Sequence, residues 1–301
     1  MSLADLHRVL AAQCANGAFA STVTRGAERI EDHSCFVTGS VALLLHVLAS
    51  SGRGERARLE RARERALDFV EACESPQLPG AFCFYPADDR SPRVVYGLAA
   101  DADDTAVAWL ALLAAGRRGI AAARKAFREC IGPASRQLVP GHAPWLRPGA
   151  VRTFLLEQGR DNPFDLVVNA NVAALAARIG ERDHPAAVGA RASLRAAACG
   201  RYDARRLGRR LTPFYPCSVC ELRLAVARAI ALGAAELAPV LEWLAERSGD
   251  DDPLRQDKPL YCNDHGQPLW RAPCLQQARR LAASWRRPEA IGSDHHLEGI
   301  S

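Results

Sequence analysis

Apolar residues recur along this chain at the three- and four-residue spacing of one helical face, and strand-like alternation is nearly absent. Alanine and leucine fill most of these positions, and both are strong helix formers. The pattern predicts helices over Leu3–Ala15, Thr38–Ser51, Glu55–Cys73, Asp103–Ala115, Ile120–Cys130, Phe164–Ile179, Pro185–Cys199, Pro216–Leu232, Ala235–Arg247 and Ala272–Trp285. Short Gly-containing or acidic turns follow Ser51, Ala115, Ile179 and Leu232. Long stretches rich in Gly, Pro, Asp and His cover Asn16–Val37, Glu74–Ala102, Ile131–Pro163, Gly200–Tyr215 and Ser248–Arg271. Such alternation suits antiparallel helix hairpins closed into a ring, with all short turns at one end and all long loops at the other. The expected fold is all-α, an (α/α)5–6 toroid of helical hairpins. One domain is expected over residues 1–288, followed by a polar tail over 289–301.

Helices that begin after the long loops share one direction. Their free N–H groups and positive dipole ends therefore gather on one rim, where a site is expected. The polar residues opening those helices are Asp32, His33 and Thr38; Asp101, Asp103, Asp104 and Thr105; Asp161, Asn162 and Asp165; Tyr215, Cys217 and Cys220; and Asn263, Asp264, His265 and Arg271.

Composition narrows the function classes. With 301 residues, 49% hydrophobic and 24% charged, the chain can bury a core. No apolar run reaches the roughly 18 residues of a membrane span, and the start carries no signal-peptide core, so the expected location is cytoplasmic. Its ten cysteines then read as reduced thiols. The net charge of +5 comes from arginines scattered over helical faces, with only Lys125 and Lys258 as lysines and 6% aromatics, which argues against nucleic acid as a partner. The cluster Arg201 to Arg210 suits an anionic ligand or a peripheral membrane contact. Nucleophile elbows, P-loops and GxGxxG strings are absent.

The most specific string is Asp101-Ala102-Asp103-Asp104-Thr105-Ala106, ahead of an apolar helix. Helix capping explains one or two of these acids. Three within four residues crowd like charges. In an apolar setting, desolvation and mutual repulsion then keep at least one protonated at neutral pH. Such an acid can protonate an alkene or epoxide.

DADDTA resembles the DxDD(T)A acid motif of class II terpene cyclases, the squalene–hopene and copalyl diphosphate cyclase type, whose members are α/α barrels. Phe82-Cys83-Phe84-Tyr85-Pro86 resembles the aromatic-Pro segment ahead of that motif in related bacterial proteins. Gln13-Cys14-Ala15-Asn16-Gly17-Ala18-Phe19 and Gln77-Leu78-Pro79-Gly80-Ala81-Phe82 are similar to degenerate QW repeats, and Asn263 to Trp270 is a further relic. The resemblance implies a small single-domain member in which Asp103 donates the proton, with Asp101 and Asp104 tuning it, to an isoprenoid that carries a diphosphate in some members. No cofactor is implied, beyond Mg²⁺ with a diphosphate. The chain departs from the family in holding one barrel's length and few aromatics for cation stabilisation.

Around the acids, the candidate substrate-binding residues are His33, Tyr215, Asp165, Asn169, Arg271 and Trp270; Asp165 and Asn169 share a helical face one turn apart, and Arg271 suits a diphosphate. Asn171 lies on another face of that helix. Cys217-x-x-Cys220 and Cys262-x-x-His265 have the residue types of a zinc site but suit helix packing as well, and no metal is assigned. Two other readings stay open: an α/α-toroid carbohydrate-active enzyme with Asp103 paired to Asp161 or Asp32, and a non-catalytic prenyl- or lipid-binding partner subunit. Oligomeric state is left undetermined.

Overall fold

The computed structural model describes residues 3–50, 55–87, 98–135, 143–156, 162–200, 208–215, 219–248, 259–262 and 268–286. Chain order is α1 (Leu3–Ala11), β1 (Ser21–Arg25), β2 (Glu28–Asp32), α2 (Cys35–Ser50), α3 (Arg56–Ala72), β3 (Phe82–Cys83), β4 (Ala100–Asp101), α4 (Ala102–Ala114), α5 (Ile120–Ala126), α6 (Leu166–Ile179), α7 (Pro185–Cys199), α8 (Gly208–Leu211), α9 (Cys220–Ala231), α10 (Ala238–Ser248), β5 (Tyr261–Cys262), β6 (Pro268–Arg271) and α11 (Pro273–Arg286). The protein is mostly helical with two small sheets. The proposed tail, 289–301, lies outside the described residues. Among the described residues no helix is long and apolar enough to cross a membrane.

The all-α expectation needs correcting. A four-stranded antiparallel sheet runs in the order β2-β1-β6-β5, and β3 pairs with β4. The β1–β2 hairpin turns through Gly26-Ala27, with Gly26 at φ +60° as a tight hairpin turn requires. Its residues, STVTR and ERIED, bury little apolar surface: Ser21, Val23 and Asp32 face inward while Glu28, Arg29 and Glu31 face solvent. A strand this polar reads as loop when only apolar alternation is sought. The helix over Ile120–Cys130 is also interrupted, since α5 widens into a π turn at Phe127–Ile131.

Helices α4 and α6 are buried on nearly every face, which places them inside the layer formed by the more polar α3 and α7. Helix α4 packs on α2 and α6, and α6 packs in turn on α9; α11 packs on α2. On the outside, α3 packs on α2, α7 on α6, α10 on α7 and α9, and α1 on α11.

One local device recurs ahead of α2, α4 and α6. Gly17, Gly80 and Gly149 all take left-handed φ angles, of +91°, +90° and +88°. A side chain there is excluded twice over: a Cβ on Gly17 would lie 2.1 Å from the Arg65 carbonyl oxygen of α3, and one on Gly149 2.3 Å from that of Pro185 in α7. Two residues later, a buried residue donates its backbone N–H to the fourth residue of the following helix. Phe19 donates to Thr38 Oγ1 at 3.2 Å, Phe82 to Thr105 Oγ1 at 2.9 Å and Val151 to Asn169 Oδ1 at 2.9 Å. Two of the QW-like segments are thus the first two copies of a staple that ties a long loop to the start of a buried helix. The third copy carries no such string.

Candidate functional site

Helix α4 begins on Asp101, whose side chain accepts the Asp104 N–H at 2.7 Å, the capping expected from the sequence. Thr105 is occupied by the staple. Asp103, in the second helical position, turns toward α6. There Asn171 Nδ2 donates to Asp103 Oδ1 at 2.6 Å, and the Tyr215 hydroxyl donates to Oδ2. Behind them, Arg228 of α9 donates through Nη1 to Asn171 Oδ1 at 3.3 Å. Asn171 is the sixth residue of α6, one turn on from the helical position that Asp103 occupies in α4, so the two face each other across the α4–α6 contact.

Asp101, Asp103, Asp104 and Asp165 are displaced toward the protonated form. Burial pushes Asp103 above the usual carboxylate value, while the bonds from Tyr215 and Asn171 and the charge of Arg228 pull it back. Burial dominates for Asp101 and Asp104 as well. For Asp104 the charge of Asp101 adds to burial, and one of its buried oxygens has no hydrogen-bond partner. Burial lifts Asp165 to about 8, against the N–H groups of Phe214 and Val167 and with the charge of Asp103 adding to the rise. Tyr215 is held well above its ordinary value by burial and by Asp103, so its hydroxyl stays a donor.

Beside Tyr215 stands a cluster of rings. Tyr215 lies 5.8 Å from Phe36 and 6.3 Å from Tyr261. Tyr261 in turn meets Trp270 at 5.3 Å and Phe84 at 5.5 Å, and Phe84 meets Tyr85 edge-on at 4.7 Å. The β-strands that were not foreseen bring Tyr261 and Trp270 here, since β5 and β6 pair them directly.

Of the six candidate substrate-binding residues, Tyr215 and Trp270 share this cluster. Arg271 follows Trp270 in β6, half-buried and paired in register with Thr22. Asp165 caps α6 through Val167 N–H at 2.7 Å and accepts Phe214 N–H at 3.0 Å, which positions the loop carrying Tyr215. Asn169 is committed to backbone: besides Val151 N–H, its Nδ2 donates to the Val151 and Asp165 carbonyls at 3.0 and 2.8 Å. It takes the place that Thr38 and Thr105 hold in the other two staples, a structural task rather than ligand contact. His33 is buried between Asn16 and Glu31, edge-on to Phe69. Sequence reading missed Asn171, Arg228, Phe36 and Tyr261. Helical phase was the available signal for Asn171, because positions two and six of a helix lie on one face.

Two metal possibilities meet physical objections. Cys14, Glu31 and His33 bring ligand atoms within 4.8 Å of one another. Asn16 Oδ1, however, accepts the Ala18 N–H, which turns its Nδ2 to donate to His33 Nδ1 at 3.0 Å. The neutral ring then carries its proton on Nε2, pointing at Glu31. A metal on Nε2 would need the Asn16 amide reversed. For Mg²⁺, the acids around α4 are a poor fit: they are buried, Asp103 already holds protein donors on both oxygens and Asp101 accepts the Asp104 N–H, whereas Mg²⁺ keeps several waters. Of the cysteine–histidine set, Cys217 and His265 lie outside the described residues.

No family model matches the sequence, and no curated protein matches it. In structure the chain is similar to the type II terpene cyclase MstE from Scytonema. Two variants of that enzyme in complex with geranylgeranyl dihydroxybenzoate and one apo variant match with a TM-score of 0.44 and 16% or 17% identity, over 94% of this chain and 94% or 95% of theirs.

Proposed function

We propose that the chain protonates an alkene of an isoprenoid with Asp103 and lets the cation formed close into rings beside the aromatic cluster, an acid-initiated terpene cyclisation. The observation that carries this reading is a buried carboxyl, raised in pKa, that holds two donors on its oxygens, one of them Tyr215, whose ring lies beside Phe36 and Tyr261. Burial loads the proton. The donors make the loaded acid strong, because Tyr215 O–H and Asn171 N–H stabilise the carboxylate left behind. The proton of Asp103 forms a C–H bond with the alkene's π electrons, and the cation is attacked by the next alkene. Loss of a proton from the last cation restores a neutral product isomeric with the substrate. The rings offer their faces to the positive charge, each worth about 2 kcal/mol in a desolvated setting. The charge of Asp103 in turn raises Asp101 and Asp104, and no metal or cofactor is invoked for the proton transfer.

The same reading takes α2, α4, α6, α9 and α11 as the inner ring of an (α/α) barrel. Three successive packings join α2 to α9, and α11 returns to α2. Between α9 and α11, Arg279 donates to both oxygens of Glu221 at 2.5 and 2.8 Å, a buried bidentate pair that would close the ring. The three glycine staples, each at the start of an inner helix, support this order. A sugar-cleaving site would instead present two carboxylates to water, whereas these acids are buried and held by protein donors.

The test is incubation of purified protein with geranyl, farnesyl and geranylgeranyl diphosphates, beside Asp103→Asn. A cyclic isomer from the wild type alone is expected. Equal product from Asp103→Asn contradicts the mechanism.

A further inference from the structure

A second buried carboxylate stands at the opposite end of the aromatic cluster and is not used by the proton transfer. Asp32 closes strand β2 and is fully buried. The Tyr85 hydroxyl donates to its Oδ1 at 2.9 Å, and the Trp270 indole N–H donates to its Oδ2 at 2.8 Å. Both donors belong to rings of the cluster. From Trp270 the rings continue through Tyr261 to Tyr215 and so to Asp103. The charge of Asp32 also reaches Tyr261, where, after burial, it helps to hold the phenol neutral.

A carboxylate hydrogen-bonded in the plane of an indole and a phenol pushes electron density toward their faces, and its own field attracts positive charge at low local dielectric. The sheet fixes this geometry. Trp270 pairs with Val23 across β1 and β6, and Asp32 pairs with Ser21 across β1 and β2, so backbone register sets the indole against the carboxylate.

We propose that Asp32 is a positioning residue that sets the cation affinity of the cluster, orienting Tyr85 and Trp270 by their polar ends and drawing positive charge toward the Trp270–Tyr261 side, away from Asp103. The inference rests on the cyclisation reading for its purpose, yet it is a statement about binding and is tested without turnover. The probes are decyldimethylamine, a cation at neutral pH, and its neutral isostere with CH in place of NH⁺. Both are saturated and inert to the acid. Affinities are read from tryptophan fluorescence.

The wild type is expected to prefer the ammonium at least tenfold. Asp32→Asn should lower that preference roughly tenfold while leaving the neutral isostere's affinity in place. Equal affinity of the wild type for both probes, or an equal fall for both in Asp32→Asn, overturns the proposal, because a merely structural role weakens the two alike. Should Asp32→Asn fail to fold, Tyr85→Phe, which removes one hydroxyl, is expected to lose about threefold of the preference, and full retention overturns it. A chain inactive on every prenyl diphosphate that keeps an Asp32-dependent ammonium preference refutes cyclisation and leaves the cation site standing. An active chain without that preference refutes only the role of Asp32.

Discussion

The two ends of α4 carry charged residues of opposite sign and put them to opposite use. At its N-terminus, Asp101, Asp103 and Asp104 are buried and driven toward the protonated form. Just past its C-terminus, Arg117 reaches Glu64, Asp68 and Glu71 of α3, and Arg118 reaches Glu71 and Glu74. There the Asp68 carboxylate holds Arg117 further above its ordinary value. Glu74, raised by burial, is brought below its ordinary value overall by Arg118 and the Gly80 N–H. Ion pairing near solvent keeps charges on, whereas burial beside other acids takes them off. Helix α4 thus holds an acid at one end and an anchor at the other.

The contrast breaks first at Asp103. Replacing it with Asn should lower cyclisation by about 1,000-fold or more, read as product per unit time, because no proton remains to give. Tyr215→Phe should cost about 10–100-fold. The lost bond favoured the carboxylate, so the remaining activity should fall with rising pH at a higher pH than in the wild type, and an unmoved profile would detach Tyr215 from the acid.

Stability should separate the two ends further. Asp165 binds a proton up to about 8 in the folded chain but only to the ordinary carboxylate value when unfolded. Its contribution is therefore fully present below about pH 4 and is lost as pH rises toward 8, with an upper slope of about 1.4 kcal/mol per pH unit. Urea titrations at several pH values should show this decline, flattened in Asp165→Asn. Thr105→Val leaves the buried Phe82 N–H unpaired and should destabilise the fold by about 1–3 kcal/mol. Arg117→Ala, on the half-exposed network, should cost under about 1 kcal/mol and lose part of that effect in high salt.

Much of the helical skeleton was legible because α2, α4, α6 and α7 announce themselves by apolar runs and by caps such as Asp101 and Asp165. The cluster of buried acids was legible as well, since three acids in four residues exceed what a cap needs. The sheet was not, because the β1–β2 hairpin buries mainly Ser21, Val23 and Asp32 and resembles a polar loop. That blind spot hid half of the site: β5 and β6 carry Tyr261 and Trp270 into the cluster, and β2 carries Asp32. Asn169 drew attention as a buried amide, but its partners are backbone groups, of Val151 in the preceding loop and of Asp165 at the helix cap, which composition cannot reveal. Its neighbour Asn171, two residues on, is the amide that meets the acid.

The central claim is that Asp103 delivers a proton from solvent-exchangeable stock to an alkene. Running the reaction in D2O with the prenyl diphosphate that is turned over tests it most directly. The account predicts a cyclic product carrying one deuterium gained at the initiating carbon, and no such product from Asp103→Asn. A cyclic product without deuterium, or labelled product formed equally well by Asp103→Asn, would contradict it.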